Sequence, residues 1–152
     1  MSVRIRPNSD FIKYWLPVIL SACFIFWMST STFSAENTFS VIGAVIHFLI
    51  PRVSSGKVVL IHALIRKLAH VFEYFILGLL LFRAFRGHAT HWWTWRWFLF
   101  TSIVVLLWAA GDEYHQSFVP TRTASIMDVG IDMVGGILGA IVSALWHRYR
   151  DR

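Results

Sequence analysis

Charged residues are scarce in this chain of 152 residues, at 14% against about 25% in an ordinary soluble domain. Hydrophobic residues make up 57% of the chain, and the mean hydropathy is +0.60. So few polar groups cannot cover the surface of a globule, which argues against a water-soluble monomer. The composition instead predicts a membrane protein with several spans.

Cysteine is nearly absent as well. The single cysteine, Cys23, lies within an apolar run, so neither an internal disulfide nor a cysteine-rich metal site can form. The sequence also has no G-x-S-x-G motif and no P-loop. These absences exclude a disulfide-stapled secreted domain, a hydrolase of the nucleophile-elbow type and a P-loop nucleotidase.

The positive charge of the chain is spread along it rather than concentrated. The net charge is +6, but the basic residues stand in short clusters between apolar runs. That distribution is typical of the flanks of membrane spans and not of a phosphate-binding face. We therefore expect no nucleic-acid partner.

Four apolar runs have about the length that a transmembrane helix needs, roughly 17 to 25 residues. They lie at about 14–29, 68–85, 95–110 and 126–146. The polar stretch 30–37 predicts a loop. Two shorter runs, at 41–50 and 57–66, predict interfacial helices between the first two spans, and Pro51 should end the first of them. The predicted fold is all-α: one membrane domain over residues 1–152, with four transmembrane helices and short interfacial helices between the first two.

The first run has a second interpretation. Positive charge followed by an apolar run also fits a cleaved signal peptide. However, this run ends in the bulky residues Phe26, Trp27 and Met28, without a clean small-residue cleavage site. We therefore favour an uncleaved span.

The distribution of Lys and Arg predicts the orientation of the four spans, because the side richer in these residues is usually cytoplasmic. With an even number of spans, both termini lie on one side. That side would hold nine basic residues: Arg4, Arg6, Lys13, Arg83, Arg86, Arg96, Arg148, Arg150 and Arg152. The other side would hold five: Arg52, Lys57, Arg66, Lys67 and Arg122. We therefore expect both termini to be cytoplasmic.

Alternation of the spans brings polar residues that are distant in sequence to one depth, on the side opposite the termini. These residues are Lys67, His70, Glu73, Asp112, Glu113, Gln116, Arg122, Asp128 and Asp132. Spacings of three or four residues place the members from one helix on a common face. Charged groups within a span are costly unless paired, and they usually serve a function. We therefore predict a ligand-binding site here, with Arg122 as the partner of an anionic group.

Other interpretations of these residues stay open. Pairs such as Arg122 with Asp128 and Lys67 with Glu73 could simply hold the helices together. His70 and Glu73 could act as a general acid and base. Carboxylates with His70 or His115 could ligate a divalent metal, but the spacing is unspecific, and we predict neither a metal nor a cofactor.

Two further patterns concern the last predicted span. Ser125 stands three residues before Asp128, which fits the N-cap of a helix. Gly135 and Gly139 form a G-x-x-x-G motif on the stripe that continues from Asp128 and Asp132. This motif favours close packing of that face against another helix.

Two stretches of the sequence, 66–81 and 112–139, resemble the VanZ-like family of small bacterial membrane proteins. The resemblance rests on a K-x-x-H-x-x-E-Y block, a D-E-x-x-Q-x-F-x-P block, an arginine and a D-x-x-x-[ND]-x-x-G-x-x-x-G block. The first block corresponds to Lys67, His70, Glu73 and Tyr74. The second corresponds to Asp112, Glu113, Gln116, Phe118 and Pro120, and the arginine is Arg122. The last block corresponds to Asp128, Asp132, Gly135 or Gly136, and Gly139. Thr121 departs from the small residue that the family tends to have before the arginine. The resemblance adds Tyr74 to the candidate site.

The family's namesake is associated with low-level resistance to teicoplanin, a lipid-bearing glycopeptide that acts outside the membrane on cell-wall precursors. The resemblance thus implies a multi-pass protein of the bacterial inner membrane. Its extracytoplasmic site would bind or shield an envelope lipid or a lipid-linked precursor and so limit lipophilic glycopeptides. The alternative is a membrane enzyme that modifies such a lipid by His/Glu acid–base or metal-assisted chemistry. The sequence leaves the oligomeric state open.

Overall fold

The computed structural model describes residues 7–150, and these are helical without any strand. The helices are α1 (Pro7–Asp10), a π-helical turn (Phe11–Trp15), α2 (Leu16–Met28), a 3₁₀ turn (Ser31–Phe33), α3 (Ala35–Leu49), α4 (Ser55–Arg86), α5 (Trp95–Gln116) and α6 (Ile126–Arg150). The predicted all-α class is confirmed. Arg4, Arg6 and Arg152, which entered the orientation argument, lie outside the described residues.

Three helical segments of the described chain are long and apolar enough to cross a membrane: Phe11–Met28, Ser55–Arg86 and Ile126–Arg150. The expected third span corresponds to α5, which has 22 residues but does not reach the same apolarity. Its first turn contains Arg96, and its last turns contain Asp112 and Glu113, so the apolar stretch between them is short.

The predicted interfacial helix at 57–66 is wrong as a separate element. It is the first part of α4, a continuous helix of 32 residues that is about 48 Å long. Arg66 and Lys67 were interpreted as a boundary, but both residues are good helix formers. No glycine or proline lies between Lys57 and Gly78 to interrupt the helix. The helix ends at Gly87, whose φ of 54° lies in the left-handed region that glycine tolerates.

The other short run also forms part of a longer helix. We predicted a polar loop up to Asn37 and an apolar helix from 41 to 50, whereas α3 begins at Ala35. Ser34 caps it, because its hydroxyl oxygen accepts a hydrogen bond from the Asn37 N–H at 3.4 Å. The helix ends at Leu49, two residues before Pro51, as the proline predicted.

Close contact between α4 and α6 organises the fold, and it runs along glycines. A methyl group on Gly135 would collide with the carbonyl of Val71, and one on Gly139 with the carbonyl of Phe75. The two backbones therefore touch, and the close packing predicted from G-x-x-x-G is confirmed. On its other side, Gly136 contacts the Val105 side chain of α5. The three helices form one layered unit, and its polar residues meet where α5 ends and α6 begins, beside the middle of α4.

Candidate functional site

The structure brings the predicted polar residues together where α5 ends and α6 begins, beside the middle of α4. We call them the polar cluster: Lys67, His70 and Glu73 from α4, Asp112, Glu113 and Gln116 from α5, Arg122 from the α5–α6 loop, and Asp128 and Asp132 from α6. Most of their side chains are buried or half-buried. Because α4 and α6 are in backbone contact just beyond the cluster, these side chains have little room to separate.

The centre of the polar cluster is formed by His70, Asp112 and Asp132. His70 Nδ1 lies 3.2 Å from Asp132 Oδ1, an ion-pair distance whose geometry falls short of a hydrogen bond. One potential ligand atom from each of the three residues lies within 4.8 Å of the other two. Asp132 is 0% exposed, and neither of its carboxylate oxygens has a hydrogen-bond partner among the described residues. Such a group is costly to bury unless a proton or a cation compensates its charge.

The ion pair at the edge of the polar cluster differs from the two pairs considered from the sequence. Lys67 Nζ donates to Asp128 Oδ1 at 2.7 Å, and the Lys67 side chain is 49% exposed. Lys67 therefore pairs with Asp128 rather than with Glu73. An exposed pair of this kind contributes about 0–1 kcal/mol to stability.

Arg122 does not pair with Asp128 either. Its Nη2 donates to two backbone carbonyls, those of Met28 at 2.5 Å and Thr30 at 3.0 Å, and so ties the α5–α6 loop to the end of α2. Its Nε is buried without a partner in the described part of the chain. Burial lowers the pKa of the Arg122 guanidinium, and the positive charge of Arg66 lowers it further, yet an arginine stays protonated at physiological pH.

Two acids of α5 accept hydrogen bonds from residues near them. Glu113 Oε2 accepts a short hydrogen bond of 2.6 Å from the backbone N–H of Ser125. The Ser125 carbonyl accepts from the N–H groups of Asp128 and Val129, so Ser125 does stand at the start of α6. Asp112 Oδ2 accepts from Gln116 Nε2 at 3.1 Å, which fixes one oxygen of Asp112.

Two further candidate residues lie outside the central group. Tyr74 is fully buried and packs with Leu77 and Val105 in the hydrophobic core, next to the acids of the polar cluster. Its hydroxyl has no hydrogen-bond partner among the described residues. His115, which was weighed as a metal ligand, packs its ring against Phe26 at a centroid distance of 4.7 Å. It is not part of the central group of potential ligands.

A cavity of about 120 Å³ opens beside the polar cluster. It is lined by Ile25, Met28, Ser29, Phe33, Thr38, Ile42, Ile65, Arg66, Ala69, His70, Glu73, Asp112 and Arg122. A volume somewhat under the roughly 150 Å³ of a benzene-binding cavity suits part of a head group and not a whole lipid. The cavity has two arginines on its wall and an imidazole and two carboxylates beside them.

Sequence reasoning missed Arg66 and the contribution of α2 and α3 to this cavity. Arg66 Nη1 donates to the Phe33 carbonyl at 2.9 Å, which orders the turn between α2 and α3 over the site. Arg66 was recognised as a basic residue next to Lys67, but it was interpreted only as part of the charged flank of the second span. Backbone carbonyl acceptors such as that of Phe33 leave no signal in the sequence.

Comparison with known proteins places the chain in a family. A search of curated proteins and a search of solved structures gave no significant match. A family model described as VanZ/LLP1 matches residues 14–147, which include every helix of the polar cluster. The match also covers α2 and α3, which contributed little to the resemblance seen in the sequence. With all but its ends matched, this all-helical chain belongs to the VanZ/LLP1 family.

Proposed function

We propose that the protein binds or shields an envelope lipid or a lipid-linked cell-wall precursor through the cavity beside the polar cluster. The observation that carries the proposal is that Arg66 and Arg122 line the same small cavity as Glu73 and Asp112. Two guanidinium groups suit a phosphate. The acids beside them suit hydroxyl or amine groups. The cavity therefore matches a head group that carries a phosphate together with hydroxyl or amine groups.

The remaining donors of Arg122 favour this role. Its Nη2 is fixed by two carbonyls, which holds the guanidinium plane in place while the buried Nε–H stays without a partner. A pre-oriented arginine loses less freedom on binding than a mobile one. Arg66 is held in the same way by the Phe33 carbonyl.

We further propose that α5 is the third of four spans, which places the cavity outside a bacterial inner membrane with both termini inside. At one end of α5, Asp112 lies with His70 and Asp132. At its other end, Trp93 stacks on Phe82 near the end of α4 at 5.6 Å between ring centroids. A helix of 22 residues, about 33 Å long, that lies alongside the second half of α4 supports a span despite its polar ends.

An extracytoplasmic lipid site gives the protein a way to limit glycopeptides that carry a lipid tail. A head group held in the cavity would be less accessible to such a drug. We therefore expect cells that express the protein to be less susceptible to teicoplanin than cells without it, and the Arg66→Gln variant to lose that difference.

Native mass spectrometry in a mild detergent tests the lipid proposal directly. The probes are a polyprenyl phosphate, phosphatidylglycerol and phosphatidylethanolamine, each added separately to delipidated protein. Arg66→Gln and Arg122→Gln should each weaken binding about tenfold or more, as expected when a hydrogen bond to a charged group of about 1.5–3 kcal/mol is lost. Arg52→Gln, an exposed position outside the cavity lining, is the matched control.

Equal retention of all three lipids by the wild type and by both cavity variants would contradict the proposal. Thermal unfolding of each variant separates lost binding from lost folding, which matters for Arg122 because it also anchors the α5–α6 loop. Arg66→Gln leaves that anchor intact.

The second candidate, a membrane enzyme, is favoured by the contact between His70 and Asp132 at the cavity. An imidazole whose nitrogen faces a buried carboxylate is the arrangement that orients a general base. Glu73→Gln separates the two candidates. If this variant no longer converts a lipid chemically but still binds it, the enzyme is favoured. If the variant only binds the lipid more weakly, the binding protein is favoured.

A further inference from the structure

The central group of the polar cluster contains more buried acid than its neighbours neutralise. Asp132 is fully buried with both oxygens unpartnered in the described chain, and Asp112 Oδ1, also buried, is unpartnered as well. The nearby cations serve other groups, since Lys67 is paired with Asp128 and Arg122 Nη2 with carbonyls. Lys67 and Arg122 therefore leave the charge of Asp132 facing only the His70 imidazole, whose Nδ1 lies 3.2 Å away.

From this arrangement we propose that His70, Asp112 and Asp132 hold one divalent cation of the Zn²⁺ or Mn²⁺ type. The three residues come from three helices and offer one imidazole nitrogen and two carboxylates. Imidazole suits Zn²⁺ and the later transition metals, while carboxylates suit Mn²⁺ and harder ions, so a mixed set selects this class. The site adjoins the arginine pair proposed to bind a head group, because His70 and Asp112 line the same cavity, but binding of the ion needs no lipid.

The distances fit one ion after small side-chain adjustments. Two ligands of one ion lie at most about 4.2 Å apart when each bond is about 2.1 Å. The gap of 3.2 Å between His70 Nδ1 and Asp132 Oδ1 already meets this limit. The other separations in the group are at most 4.8 Å, so rotation about the side-chain bonds of Asp112 needs to supply about 0.6 Å at most.

The ion would have positions open toward the cavity, because His70 and Asp112 line it while Asp132 lies behind them. Three protein ligands with an open position are the pattern of sites that bind water or a substrate group, in contrast to closed structural sites. Gln116 holds the second oxygen of Asp112. Such a partner outside the ligand set orients the carboxylate toward the ion.

Metal analysis of the tag-free protein tests this proposal. The protein is purified in detergent, stripped with EDTA, loaded separately with Zn²⁺ or Mn²⁺, desalted and measured by inductively coupled plasma mass spectrometry. We expect one equivalent of at least one of the two metals per chain. His70→Gln and Asp132→Asn should each lower the affinity about tenfold or more.

Two controls keep the result specific. Asp128→Asn removes a neighbouring acid that is already paired with Lys67. His115→Gln removes a histidine that packs on Phe26. Both variants should still bind one equivalent of metal per chain. The melting temperature gives a second readout, because a ligand that binds only the folded state stabilises it. Metal should raise it in the wild type and in both controls, but not in His70→Gln.

The proposal fails if the folded wild type takes up neither metal and its melting temperature does not respond. It also fails if His70→Gln and Asp132→Asn bind as much metal as the controls do. If Asp132→Asn does not fold, His70→Gln alone decides between these results. Neither outcome depends on whether the arginine pair binds lipid, since no lipid enters the experiment.

Discussion

Glu113 joins the end of α5 to the start of α6 through one hydrogen bond, and its loss should be measurable. Replacing it with alanine leaves the Ser125 N–H without its acceptor at 2.6 Å, in a half-buried position. A buried donor left unsatisfied costs about 1–3 kcal/mol. Lys67→Ala, which removes an exposed ion pair, should cost less than about 1 kcal/mol. Thermal unfolding in detergent compares the two variants, and equal losses would contradict this ranking.

Which residues meet was more predictable than which atoms pair. The approach of His70, Asp112 and Asp132 follows from the direction of the helices and from helical spacing, and both are present in the sequence. The partner of Lys67 was not predictable, because the choice between Glu73 and Asp128 depends on small differences in rotamer and depth. The acceptors of Arg122 are main-chain carbonyls, which every residue type carries.

At the scale of the helices, the glycine contact between α4 and α6 predicts a strong effect of one methyl group. Gly139→Ala places that methyl against the Phe75 carbonyl, so the helices must separate. Overpacking of this kind costs about 1–3 kcal/mol. Gly130→Ala on the same helix meets no atom within 4 Å and should stabilise by about 0.5–1 kcal/mol, because alanine loses less backbone entropy than glycine. Opposite shifts in melting temperature are therefore expected, and a neutral Gly139→Ala would refute the contact.

The bounds of the helices were predicted less well than their existence, for a physical reason. Hydropathy reports where a helix can lie in a membrane and not where its hydrogen bonding ends. A basic pair such as Arg66 and Lys67 interrupts the apolar run without interrupting α4, so one helix was divided into two. Conversely, the cap at Ser34 begins α3 within a polar stretch that hydropathy assigned to a loop.

Across the whole molecule, the two ends of the helices differ in charge. The polar cluster with its acids occupies one end, while Lys13, Arg83 and Arg150 line a second cavity of about 450 Å³ at the other. Arg148 lies over the Trp92 ring at 5.2 Å, which brings the connector before α5 to this basic end. Tryptophan is enriched at both boundaries of a membrane, whereas Lys and Arg are enriched on the cytoplasmic side. The structure thus brings these basic residues to one end of the molecule, and their cytoplasmic location stays a prediction.

Labelling of single introduced cysteines tests this orientation in cells. In a Cys23→Ser background, Thr90→Cys marks the connector before α5, and Thr123→Cys and Ser54→Cys mark the end that holds the polar cluster; all three positions are exposed. If α5 is a span, a membrane-impermeant maleimide should label the 54 and 123 positions in intact cells, and the 90 position only after the membrane is opened. Labelling of the 90 and 123 positions from the same side would show that α5 does not cross the membrane. Labelling of the 90 position alone in intact cells would keep four spans and reverse their direction, which would place the cavity in the cytoplasm, away from any glycopeptide.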